Sequence, residues 1–174
     1  MKLLVQYPNC WAIEKTTGSS RLVIAPAARY IELIIRLTAA IHGPFGLLCV
    51  LLVPREGGES GRYQNPAPIN SNELEIFLLE YQDLFERDAR QHVWIGSADN
   101  SSLLVYDNHN VIYAYGPLTE FEKTLRSNGL EQCESVSFPM PHMHRYNAEF
   151  DQQASDILKH WEWKRFPVQQ SDEP

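Results

Sequence analysis

The chain has 174 residues, of which 44% are hydrophobic and 21% charged, enough for one domain with a sizeable core. Its 22 acidic residues outnumber 15 basic ones, a formal charge of -7, and this excludes the basic field that nonspecific nucleic-acid binding needs. The longest apolar run, Phe45 to Val53, is about half of what crosses a bilayer, so no membrane partner is expected.

In chain order, residues 2–6 and 21–25 read as strands, with the polar EKTTGSS between them as a loop. The start, MKLLVQYPNCW, is too short and too soon polar for a secretory signal, and a cytoplasmic protein is the expectation. Pro26 suits a first helical turn; Tyr30, Leu33, Ile34, Leu37 and Ile41 follow at helical spacing, and Gly43 ends the run. Residues 45–53 are apolar at every position, the pattern of a central strand covered on both faces. Residues 54–70 form a long Gly/Pro-rich loop with Arg55, Arg62 and Tyr63 as candidate binding contacts.

A second helix begins near Ser71, with Leu74, Phe77, Leu78, Tyr81 and Phe85 on its apolar face. The segment QHVWIGSADNSSLLVYDNHNVIYAYG, residues 91–116, reads as three strands joined by two tight polar turns. Pairing Tyr106 with Val111 puts Leu104, Tyr106, Val111, Tyr113 and Tyr115 on one face and Leu103, Val105, Ile112 and Ala114 on the other. Tyrosines offer amphipathic contact area, so Tyr106, Tyr113 and Tyr115 are further candidate binding residues.

Gly116 and Pro117 open a third helix, in which Thr119 and Glu122 have the spacing of a capping box and Gly129 sits at the C-terminal cap. Residues 134–138 form a short strand. Asn147 caps a fourth helix that buries Phe150, Ala154, Ile157, Leu158 and Trp161, and 168–174 is a flexible tail. The turns between the central strands are too short for parallel crossovers. The expected fold is a single α+β domain, a mainly antiparallel sheet of about five to six strands with about four helices packed on it.

Chemistry is less marked. Cys10, Cys49 and Cys133 are an odd number without a CxxC pair, so neither a disulfide framework nor a zinc set is indicated, and Cys49 reads as a buried hydrophobe. His142 and His144, two apart in an extended segment, point the same way and could share a divalent metal with Glu149 or Asp151 as the carboxylate ligand. Asp107 and His109 sit in a turn whose residue types the turn itself explains. Nucleophile elbow and phosphate-binding loop are both lacking, and no catalytic set or cofactor is assigned.

Two readings follow. The first is a non-catalytic protein-interaction module with no cofactor, its acidity permitting a basic protein partner, and with homodimerisation through an open sheet edge left as an option. At the level of class alone it resembles small bacterial immunity or adaptor proteins; no motif ties it to one such family. The second is a small metal-dependent enzyme or small-molecule-binding protein with its site around His142 and His144.

Overall fold

A computed structural model describes residues 7–137 and 146–172. Among the described residues nine strands form one sheet: β1 (Cys10–Lys15), β2 (Ser20–Ala25), β3 (Phe45–Leu51), β4 (Gly61–Gln64), β5 (Gln91–Ser97), β6 (Leu103–Tyr106), β7 (Ile112–Tyr115), β8 (Glu131–Gln132) and β9 (Lys164–Phe166). Their order is β8-β1-β2-β7-β6-β5-β3-β4-β9. Every pairing is antiparallel except that of β1 with β8, which follows a helical crossover.

Among the described residues five α-helices accompany the sheet: α1 (Tyr30–Thr38), α2 (Ser71–Glu80), α3 (Gln82–Arg87), α4 (Leu118–Ser127) and α5 (Asp151–His160). Their apolar stripes bury Leu33, Ile34 and Leu37 from α1, Leu74 and Phe77 from α2, Phe85 from α3, Phe121 and Leu125 from α4, and Ile157 from α5. All join one core with Trp11, Leu22, Leu47, Val93, Leu104, Tyr106 and Ala114 from a single face of the sheet. The buried helix residues thus lie on one side of the sheet.

The mixed α+β architecture and mainly antiparallel sheet agree with the sequence reading, but its strand and helix counts were low. The 54–70 segment contains β4, and the segment before 168–174 contains β9; β9 is the far edge and β4 lies next to it, where pairing rather than apolar patterning makes the strand. β1 carries CWAIEK, whose second half is exposed at the other edge. The expected second helix is two, divided at Tyr81. Among residues 134–137 there is no strand; the short strand is β8, just before them. Residues 2–6 lie outside the described residues.

Local details differ for physical reasons. Helix α1 starts at Tyr30 rather than near Pro26, because Arg29 takes a left-handed conformation with φ 59°. The capping box is at Asn70 and Glu73, where the Asn70 Oδ1 accepts from the Glu73 N–H (3.0 Å) and the Glu73 carboxylate accepts from the Asn70 N–H (2.9 Å). Thr119 already lies inside α4, whose preceding residue is Pro117, so it cannot act as the cap. Asn147 does not cap α5; its amide donates to the Arg87 carbonyl. The 168–174 segment is tied down as far as Asp172, which is 1% exposed, pairs with Arg62 (3.5 Å) and accepts from the Gln169 N–H (2.8 Å).

Candidate functional site: the second face of the sheet

The helices leave the second face of the sheet to a different set of side chains. Strand register places Leu48, Trp94, Val105, Tyr113 and Val23 in one row across β3, β5, β6, β7 and β2. Leu48, Trp94, Val105 and Tyr113 are each half-buried. Among the described residues none of the five α-helices contributes a buried side chain to this face; its small apolar cluster is Tyr7, Val23, Ala25 and Val111, with Tyr113 and Val136 against it.

Two arginine–aromatic groups flank the apolar row. Arg21 on β2 lies 4.5 Å from the Tyr113 ring centre, donates to the Tyr115 hydroxyl (2.7 Å) and pairs with Glu14 (2.5 Å). On the opposite flank the Arg62 guanidinium lies 5.1 Å from the Trp94 ring centre while paired with the buried Asp172. Burial and the negative charge of Asp107 push the Tyr113 hydroxyl above its ordinary pKa, so it is a neutral hydrogen-bonding group.

The tyrosine face expected from the sequence is divided. Tyr106 pairs with Ile112, not Val111, because Asp107 closes the turn: its N–H donates to the Val111 carbonyl (3.0 Å), and its Oδ1 accepts from the N–H groups of His109 and Val111 (2.9 Å each). Leu104, Tyr106, Ile112 and Ala114 therefore face the helices, and Leu103, Val105, Tyr113 and Tyr115 face the other way. Tyr106 is 2% exposed and stacks on Tyr30, with ring centres 5.9 Å apart.

The loop candidates also separate. Arg62 joins the second face, but Tyr63 points to the helix side and donates to the Glu59 carbonyl (2.8 Å). Arg55 is taken up by Asp88 (3.1 Å) and Asp151 (2.5 Å). Glu149 pairs with Arg87 at 2.7 Å, so both carboxylates considered as metal ligands face arginines. His142 and His144 lie outside the described residues. Among the described residues no three or more His, Cys, Asp or Glu side chains gather to hold a metal ion.

At the end of this face, His92 is 6% exposed and its Nε2 is 3.2 Å from the Asn108 Oδ1. Burial lowers its pKa, with Asp107 and the Asn108 contact acting in the opposite direction. Imidazole, carboxamide and carboxylate thus form a packed structural network behind the turn.

Sequence reasoning missed Trp94, Arg21 and Leu48. The signal for Trp94 lies in HVWIGS, where alternation sets His92, Trp94 and Gly96 against Val93, Ile95 and Ser97. No helix among the described residues is long and apolar enough to cross a membrane. No family model, curated protein or solved structure matches the chain.

Proposed function

We propose that the chain is a non-catalytic protein-interaction module, of the adaptor or immunity type, and that the second face of the sheet is its contact surface. The supporting observation is composition at one place: Trp94, Tyr113, Tyr115, Arg21 and Arg62 share a face whose centre is the half-buried apolar pair Leu48 and Val105. Trp, Tyr and Arg are the residue types that dominate binding energy at protein interfaces, and an apolar centre with a polar rim is the usual anatomy. The arginines are held by Glu14 and Asp172, so their planes are fixed before a partner arrives, which lowers the ordering cost of association.

A competing surface is the outer side of α2, where Ile76 and Leu79 are exposed beside Glu73, Glu80 and Asp83. That acidic ground is where a basic partner would sit. The two surfaces are told apart with a partner found by in-cell crosslinking, then purified and titrated calorimetrically against Val105→Glu and Ile76→Glu. The proposal expects Val105→Glu to weaken binding by about tenfold or more while Ile76→Glu does not. The reverse pattern would move the contact surface to α2, and no stoichiometric partner at all would end the interaction reading.

A further inference from the structure

Cys10 and Cys133 are distant in sequence and adjacent in space. The parallel pairing of β1 with β8 matches Cys10 with Glu131 and Trp11 with Gln132, and the Cys133 N–H then donates to the Trp11 carbonyl at 2.9 Å. That backbone bond fixes Cys133 one step beyond the pair, with its side chain on the same face as Cys10. The two sulfurs lie 2.7 Å apart. Non-bonded heavy atoms rest at about 3.5 Å or more. Two thiolates on one tetrahedral zinc ion, each about 2.3 Å from it, would stand about 3.8 Å apart. A shared metal is therefore a poorer fit than a direct sulfur–sulfur bond.

We propose that Cys10 and Cys133 are a redox pair that closes to an intrachain disulfide when the protein meets a small-molecule disulfide such as oxidised glutathione. The inference is independent of what the second face binds. Cys133 is half-buried and Cys10 is 6% exposed, so Cys133 is the entry point. Its thiolate attacks one sulfur of the oxidant; that sulfur–sulfur bond breaks and one glutathione thiolate leaves, taking up the proton that Cys133 gave. The Cys10 thiolate then attacks the Cys133 sulfur of the mixed disulfide. The second glutathione leaves as a thiolate and takes the Cys10 proton. The two cysteines are oxidised and the glutathione disulfide is reduced to two thiols.

Burial pushes the Cys10 thiol above its ordinary pKa, so the closing step accelerates as the pH rises. Cys49 takes no part: it is buried on the helix side of β3.

The test incubates the folded protein with oxidised glutathione, quenches with acid, and labels free thiols with a maleimide under denaturing conditions. The number of labelled thiols falls from three to one, and a non-reducing tryptic digest yields peptide Leu3–Lys15 joined to peptide Ser127–Arg145. Cys49→Ser still forms that linked peptide, and Cys133→Ser does not lose a pair of thiols. Three labelled cysteines after prolonged incubation, a mixed disulfide that persists on Cys133, or a linkage through Cys49 would each overturn the proposal.

Discussion

Asp88 is a carboxylate sealed from solvent between two arginines. Its side chain is fully buried, 3.1 Å from Arg55 and 3.5 Å from Arg90, and it accepts from the Asn147 N–H at 3.1 Å. Removing it leaves the partly buried Arg90 guanidinium and the Asn147 N–H without their carboxylate, and Arg55 with only the exposed Asp151, so Asp88→Ala is expected to cost about 3 kcal/mol in urea denaturation. Asp151, which also pairs with Arg55, is 57% exposed, and Asp151→Ala is expected to cost under about 1 kcal/mol. Equal losses in the two variants would show that Asp88 is not a buried anchor. His92 gives the residue scale a pH signature. Its folded pKa lies below the ordinary 6.5, so below that pH the unfolded chain binds more protons than the folded one. Stability is then lost as the pH falls from about 6.5 toward the folded pKa, and nothing is contributed above it. Burial of Glu86 raises its pKa and acts with the opposite sign at more acid pH, but it is common to both proteins in a comparison with His92→Gln. The stability difference between variant and wild type should widen in favour of the variant from pH 7 to pH 5; parallel curves would exclude His92 as the source.

At the scale of elements, the turn after β6 decides which residues face the helices. A loop of Asn108, His109 and Asn110 closed by Asp107 and Val111 ends in a left-handed residue, Asn110 at φ 64°, whose Oδ1 accepts from the Tyr106 hydroxyl at 2.7 Å. Asn110→Gly loses that hydrogen bond but keeps the backbone angle; Asn110→Ala loses both. The alanine variant is therefore expected to be less stable than the glycine one by about 1 kcal/mol, and equal stabilities would mean the turn relaxes out of the left-handed region. This turn also marks the boundary of what the sequence reveals. The three strands between 91 and 116 and the helix stripes through Leu33, Phe77 and Phe121 are legible because burial imposes a period. The register is not, because shifting the loop by one residue leaves both faces of LLVY and IYAY apolar or aromatic, and only the Asp107 side chain selects one. The edge strand β9 and its neighbour β4 lack a period of their own, since GRYQ and KRF form strands through the strands beside them. Arg62 was legible as a candidate contact and Trp94 was not, although the two lie against each other on the same face.

For the whole molecule, the question is whether the β8-β1 edge belongs to the same cooperative unit as the rest of the sheet. Trp11 argues that it does: it sits on β1, is completely buried, and is part of the core that also holds Leu22, Ile112, Phe121 and Leu125. Its ring is also covered by Arg126 from α4, at 5.2 Å, so freeing β1 breaks the packing of the helix layer as well. A disulfide between Cys10 and Cys133 would bridge positions 123 apart. If the edge unfolds only with the core, the cross-link removes the full chain entropy of that loop from the unfolded state, about 4 to 5 kcal/mol in the loop-closure description. At about 2 to 4 °C per kcal/mol for a chain of this size, the oxidised form should melt about 8 to 20 °C above the reduced form. Scanning calorimetry of the two forms, with Cys133→Ser under both conditions as the reference, measures this directly. A rise of that order ties the edge to the common core. A rise near zero, with the linked peptide present, would mean that β8 and β1 detach before the sheet melts and that Trp11 does not couple them to it.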